Sequence, residues 1–149
     1  QLVGEIVPYI CKHYNVYAES MAYGGYSLGG LAAIYSLYFD ETFSTIFSVC
    51  GSFWYPGFAD YVVNNNVKNR NAAVYLLNGE QEGVNHGNLL EQAPVKAHMV
   101  HEHLMSVMNA VSIFDEYGHH ENKSERINRL LSVLTGMEGS YENGGKETK

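Results

Sequence analysis

The chain has 149 residues, of which 46% are hydrophobic, and a formal net charge of −7 at pH 7. This length predicts a single domain with its own core, and the acidic balance without any basic cluster argues against a nucleic-acid partner. No apolar run approaches the roughly 18 residues that a membrane span requires, so no membrane partner is expected.

The first half of the chain alternates helix and strand. Residues 2–14 carry apolar side chains at helical spacing and predict a helix. A short buried strand is predicted over 20–23, followed by a helix over 28–39. Alternation of apolar and small hydroxyl residues over 43–49 predicts a second strand.

The second half continues this alternation. The continuous apolar run at 72–77 is typical of a parallel strand buried on both faces. Residues 79–94 are a loop rich in Gly and Asn, and helices are predicted over 95–110 and 122–134, with a short strand at 111–114 after the first of them. Strands that alternate with helices predict an α/β fold, with a parallel sheet, flanking helices and right-handed crossovers.

The two cysteines, Cys11 and Cys50, lack the spacing of metal ligands or of a disulfide framework. They are interpreted as two buried thiols. The sequence opens at Gln1 rather than Met, so the lack of a visible signal peptide leaves the compartment open.

The most informative motif is Gly-Tyr-Ser-Leu-Gly at residues 25–29, the G-x-S-x-G pattern of a nucleophile elbow. In such an elbow the serine lies on a strained turn between a strand and a helix, and the flanking glycines leave room for it. The elbow would lift the hydroxyl of Ser27 above the sheet and direct the amide of Leu28 at the position of an oxyanion.

A nucleophilic serine needs a base, and two adjacent histidines are candidates. His119 and His120 follow the predicted strand at 111–114, at the carboxyl end where ligands of parallel sheets collect. We prefer His119, because it directly follows Gly118, and expect His120 to pack or to face solvent.

The base in turn needs an acid that fixes its tautomer. Glu80 and Glu82 follow the strand at 72–77, and we prefer Glu82 because it lies further out, where the loop can fold back. Asp60 and Asp115 are outside candidates.

A second histidine group, His98, His101 and His103, lies on the predicted helix at 95–110. At about 100° per residue, His103 is far around the helix from the other two, so the spacing does not suit a metal. We interpret the three as exposed, and expect neither a metal nor a cofactor.

Four aromatic side chains fall within residues 52–58, Ser-Phe-Trp-Tyr-Pro-Gly-Phe. They are equally suited to the wall of an acyl or aryl pocket and to a core beneath a loop. Trp54 is the best candidate for a pocket wall, and Tyr26, beside Ser27, is the second candidate substrate-binding side chain.

Together these motifs resemble the putative esterase family of α/β-hydrolases. This esterase D-like family includes enterochelin, feruloyl and acetyl-xylan esterases, S-formylglutathione hydrolases and mycolyltransferases. The likeness runs from about Glu5 to Leu134. It rests on Ile-Val-Pro-Tyr-Ile at 6–10, Gly-Tyr-Ser-Leu-Gly-Gly-Leu at 25–31, the segment 43–55, Gly-Glu-Gln-Glu at 79–82 and Gly-His-His-Glu-Asn at 118–122.

The resemblance implies a serine hydrolase with Ser27 as nucleophile, His119 as base and Glu82 as acid, acting on a small-molecule or carbohydrate-linked ester. Two positions depart from the family pattern: Glu82 stands where feruloyl esterases carry aspartate, and Tyr117 replaces the first of two glycines before the histidine. The alternatives are acyl transfer, which the family also performs, and a binding module on the same fold without catalysis.

The position of the nucleophile elbow, close to the start of the sequence, also indicates how the domain is organised. We expect a catalytic domain over residues 1–136, incomplete at its N-terminus, and a flexible tail over 137–149. In the hydrolase fold earlier strands lie beside the elbow strand, but only one helix and one strand fit before Ser27. The strand at 20–24 is therefore expected to pair with a preceding segment of the fold or, less readily, with a partner chain.

Overall fold

The computed structural model describes residues 1–14 and 20–135. Four parallel strands form one sheet in the order β1-β2-β3-β4. Their bounds are Ala22–Tyr26 for β1, Thr45–Val49 for β2, Ala73–Gly79 for β3 and Ala110–Asp115 for β4. The parallel α/β sheet predicted from the alternation of segments is confirmed.

Helices connect consecutive strands, as parallel pairing requires. The helical elements are a π-helical turn at Leu2–Ile6, α1 at Val7–His13, α2 at Leu28–Ser36, α3 at Phe58–Asn64, a 3₁₀ turn at Leu89–Gln92, α4 at Ala93–Val107 and α5 at Lys123–Leu134. The sequence prediction missed α3, because two turns are too short to establish a helical period. The predicted tail, residues 137–149, lies outside the described residues.

The two faces of the sheet bury separate apolar clusters. Ile46, Val74 and Leu76 belong to the larger cluster, together with residues of α2, α3 and α4. Their neighbours along β2 and β3 point to the opposite face, where Leu77 packs with Leu130 of α5. The sheet is thus covered on both faces, which explains why β3 reads as an uninterrupted apolar run.

The two cysteines differ in environment. Cys50 is fully buried just after β2, as predicted, whereas Cys11 on α1 is only partly buried. The expectation for Cys11 is wrong because α1 buries none of its residues completely.

Strand β1 lies at an edge of the sheet. It pairs with β2 alone among the strands of the described residues, so its other edge carries no strand there. Within the same residues, no helix combines the length and the apolar character needed to cross a membrane.

Candidate active site

Ser27 lies on the turn between β1 and α2 with φ 59° and ψ −119°. A positive φ is uncommon for a residue with a side chain and is kept only where the surroundings enforce it. Here the Ser27 amide donates to the carbonyl of Val49 at 2.9 Å, and the Ser27 carbonyl accepts from the amide of Ser52 at 3.1 Å. The end of β2 and the segment after it therefore hold the turn on both sides.

The two motif glycines have different roles. A Cβ on Gly25 would lie 2.5 Å from the carbonyl carbon of Gly29, so the strand and the first helical turn approach too closely for any side chain. A Cβ on Gly29 would meet nothing within 4 Å. The expectation that both glycines relieve crowding therefore holds for Gly25 only.

His119 stands between Ser27 and Glu82. Its Nε2 lies 3.1 Å from Ser27 Oγ, and its Nδ1 lies 2.6 Å from Glu82 Oε2. With Nδ1–H donating to the carboxylate, Nε2 is free to accept the serine hydroxyl proton. The structure thus brings together the preferred serine, histidine and carboxylate in the order expected from the sequence.

The alternative candidates lie elsewhere. His120 is exposed beside His119, with ring centroids 4.9 Å apart. Glu80 accepts from His98 Nε2 at 3.0 Å on the surface, and Asp60 pairs with Lys96 at 3.7 Å.

The Glu82 carboxylate is 3% exposed and is compensated by hydrogen bonds. Its Oε1 accepts from the Gly79 amide at 2.7 Å and from Asn78 Nδ2 at 3.1 Å, while Oε2 faces His119. A buried carboxylate without such donors would be strongly destabilised as an anion. These contacts hold the ionised oxygen against the imidazole.

A buried arginine fixes the loop that carries His119. Arg126 of α5 forms an ion pair with Asp115, through Nε at 2.6 Å and through Nη2. Its Nη1 donates to the Gly118 carbonyl at 3.0 Å and to Cys50 Sγ at 2.8 Å. Burial alone would lower the pKa of Arg126, but the hydrogen bonds of Asp115 and the electrostatic effects of Cys50 and Asp115 outweigh burial and raise that pKa. Asp115 is thereby committed to the guanidinium rather than to a histidine.

Tyr26 also contacts the histidine loop. Its hydroxyl donates to the backbone carbonyl of His119, and its ring centroid lies 5.2 Å from the imidazole. Burial raises the pKa of Tyr26, which keeps the hydroxyl a neutral donor. A contact of Tyr26 with substrate stays a prediction.

Donor atoms of Cys50, Glu82 and His119 lie within 4.8 Å of one another, close enough for a metal ion. A metal would require the thiolate, but burial and the nearby Glu82 charge raise the pKa of Cys50 to about 12. Both nitrogens of His119 and the facing carboxylate oxygen are already engaged, and the Arg126 cation contacts the sulfur. The chemistry of this group fits a hydrogen-bonded network better than a metal site.

A pocket of about 420 Å³ opens over Ser27 and His119. Trp54, the predicted wall residue, lines it, and so does Ser52, whose Oγ lies 3.1 Å from Ser27 Oγ. Other lining residues are Gln81, Glu82, Gly83, His86, Leu90, Ala93, Gly118, His120 and Glu121. Leu28, the first residue of α2, has one of the amides that a helix leaves without an intrahelical partner, as an oxyanion donor requires.

The expectation that all three helix histidines are exposed is wrong: His98 and His103 are half-buried, and the expectation fails furthest for His101. Its side chain is completely buried on α4, between Ser112 and Asn78. Helical spacing revealed no partner for it, because both partners lie on strands rather than on α4. The same reason hid Arg126 and Asn78 from the sequence analysis.

Comparison with protein families and with curated proteins leaves the family open. No family model matches the chain. The chain is 29% identical over 106 residues to the uncharacterised protein YbbA of Bacillus subtilis strain 168, an alignment that covers 69% of this chain and 42% of YbbA. The chain therefore spans less than half the length of this curated relative.

Solved structures show the fold. A ferulic acid esterase superposes with a TM-score of 0.69 at 16% identity, over 93% of this chain and 60% of the esterase. The siderophore hydrolase EstA from Aspergillus nidulans gives 0.62 at 14%, over 93% and 56%. An acylaminoacyl peptidase of Pyrococcus horikoshii gives 0.64 at 14%, over 98% and 28%. This chain has an α/β-hydrolase-type fold and spans only part of each of these proteins.

We expect Arg126→Met to lower the free energy of unfolding by about 3–5 kcal/mol, because Asp115 would be left largely buried without its cation. Arg129→Met, on the exposed face of the same helix, should change it by less than about 0.5 kcal/mol. Urea denaturation of the two variants compares them directly. Equal midpoints would show that the Arg126–Asp115 pair does not stabilise the fold.

Proposed function

We propose that this chain is the catalytic part of a serine esterase that cleaves a carboxylic ester through an acyl-enzyme on Ser27. The observation that carries the proposal is the 3.1 Å contact of Ser27 Oγ with His119 Nε2, together with the 2.6 Å contact of His119 Nδ1 with Glu82. Serine is activated when a base lies within hydrogen-bond reach of its hydroxyl and a carboxylate orients that base.

In the first proposed step Ser27 Oγ attacks the ester carbonyl carbon while His119 Nε2 takes the hydroxyl proton. The Glu82 carboxylate stabilises the resulting imidazolium, and the Leu28 amide donates to the carbonyl oxygen as it becomes negative. The bond to the alcohol then breaks, and His119 returns the proton to the departing oxygen. The acyl group stays on Ser27.

In the second step a water molecule attacks the acyl carbon, and His119 accepts the proton from the water. Collapse of the second intermediate breaks the bond to Ser27 Oγ, which regains its proton from His119, and the carboxylic acid is released. Acyl transfer would use the same residues with an alcohol acceptor in place of water.

A gap between Ser27 and the histidines too wide to close would have refuted the enzyme in favour of a non-catalytic binding module. The 3.1 Å separation favours the enzyme over this alternative.

The pocket supports a substrate with an aryl or acyl group. Trp54, Leu90 and Ala93 contribute apolar lining, whereas Gln81 and His86 contribute polar groups. Two of the superposed proteins are described as a ferulic acid esterase and a siderophore hydrolase. We propose feruloyl, acetyl or siderophore-type esters as the substrate class.

We further propose that a strand outside residues 1–149 pairs with the free edge of β1, in a preceding segment or, less readily, in a partner chain. Among the described residues β1 pairs with β2 alone, which supports this, since an unpaired edge of apolar sheet is an aggregation hazard. Exchange of the β1 amide hydrogens that point away from β2 should be slow in the full-length protein and fast in residues 1–149 alone. Equal exchange in the two would contradict the pairing.

We expect Ser27→Ala to reduce ester hydrolysis by several powers of ten, because the nucleophile is removed. A fluorophosphonate probe should label the full-length protein at Ser27 and fail to label the variant. Ser124→Ala, an exposed serine on α5, is the matched control and should behave like the unmodified protein. Full activity in Ser27→Ala would refute the proposed mechanism.

A panel of feruloyl, acetyl, short-chain p-nitrophenyl and catecholate esters tests the substrate proposal. We expect the highest kcat/KM for an ester whose aryl or acyl group fits beside Trp54, and Trp54→Ala should lower that value mainly through KM. Uniformly low turnover over the panel would point to acyl transfer, which is checked by adding an alcohol acceptor.

A further inference from the structure

A series of buried polar groups lies behind Glu82. We propose that Asn78 and His101 form a relay of hydrogen bonds that keeps the Glu82 carboxylate oriented toward His119. Asn78 and His101 are then positioning residues for the reaction. This inference rests on the proposed serine-hydrolase function. We use the term relay for the hydrogen-bonded series Ser112–His101–Asn78–Glu82.

The contacts of Asn78 determine the orientation of its amide. Asn78 is buried at the end of β3, and its Nδ2 donates to the Gly51 carbonyl at 3.3 Å and to Glu82 Oε1 at 3.1 Å. A carbonyl and a carboxylate can only accept, so the NH₂ group must face them. The opposite side of the amide, Oδ1, therefore needs a donor.

His101 is that donor. Its Nε2 lies 3.0 Å from Asn78 Oδ1, which only accepts, so Nε2 carries the hydrogen. Its Nδ1 then accepts the Ser112 hydroxyl proton across 2.8 Å. Burial lowers the pKa of His101 to about 3, which keeps the ring in this neutral form near pH 7. Each polar atom of the His101 ring thus has a partner of the right kind.

An ordinary packing role explains this arrangement less well. Position 101 faces the core beside Val100 and Leu104, and the ring lies against Phe114 with centroids 4.5 Å apart, so an apolar side chain would suit the packing. A polar ring at such a site is tolerated only with its hydrogen bonds made. Those bonds lead, through one amide, to the carboxylate that faces His119.

The relay matters because the three contacts of the Asn78 amide fix its position together. Without the His101 donor, Nδ2 still faces its two acceptors, but Oδ1 is left buried without a partner, which is costly. The amide then shifts to relieve its oxygen, its bond to Glu82 weakens, and the carboxylate is held less firmly toward His119. The reaction then loses orientation of the base while the substrate pocket is unchanged.

The main test replaces His101 in the full-length protein. His101→Leu should lower kcat about 10- to 100-fold with KM little changed, the size of effect seen for outer groups that orient metal-ligating side chains. His101→Gln keeps one donor and one acceptor at similar positions and should restore most of kcat. His103→Leu, the same change two residues further along α4, is the control and should leave kcat unchanged.

A second variant covers the case in which His101→Leu does not fold. Asn78→Asp keeps the shape of the side chain but places an acceptor against Glu82, and it should lower kcat at least as much as His101→Leu. Wild-type kcat in folded His101→Leu or Asn78→Asp would overturn the relay. Equal losses in His101→Gln and His101→Leu would also overturn it, because ring shape rather than hydrogen bonding would then be responsible.

A spectroscopic measurement separates the relay from the proposed function. The proton that His119 Nδ1 shares with Glu82 should give a low-field NMR resonance in the unmodified protein and in Ser27→Ala, which has no turnover. We expect this resonance to weaken or vanish in His101→Leu and to persist in His101→Gln. Absence of esterase activity with this pattern intact would refute the function alone, whereas an unchanged resonance in His101→Leu would refute the relay.

Discussion

The burial of the Glu82 carboxylate is the constraint on which the rest of the site depends. A negative charge that water scarcely reaches must be matched by donors fixed in the fold, and here they come from a backbone amide, a side-chain amide and an imidazole. Those donors belong to the end of β3 and to the loop after β4, two neighbouring parallel strands. The register of the sheet therefore sets the geometry of the site, and Arg126 stabilises the second loop by joining it to α5.

The parts of this arrangement that could be predicted from sequence are those with a local signature. Ser27 is marked by its glycine-rich turn, and the histidine and the acid are marked by their position directly after apolar strands. Arg126 and His101 have no such local signature, because a charged or polar residue on a helix is interpreted as exposed when its partners lie on other elements. Helix α3 was not predicted for a different reason, since seven residues are too few to show a helical period.

The fold of this chain is shared with proteins of very different sequence. At 14% and 16% identity the superposed hydrolases share little sequence with this chain, yet TM-scores from 0.62 to 0.69 show the same course of the backbone. Strand pairing and apolar alternation survive extensive substitution, because many side chains satisfy them. The polar contacts beneath Glu82 have less tolerance, since each donor must meet one particular acceptor.

The 3.1 Å contact between the hydroxyls of Ser27 and Ser52 extends the hydrogen-bonded series and fixes its direction. Since His119 Nδ1–H points to Glu82, Nε2 must accept from Ser27, and the oxygen of Ser27 is left to accept from Ser52. All the bonds from Ser52 to the carboxylate then run the same way, and aligned bonds polarise one another. With the carboxylate at one end of this aligned series, each bond strengthens the next, from Glu82 through His119 to the oxygen of Ser27.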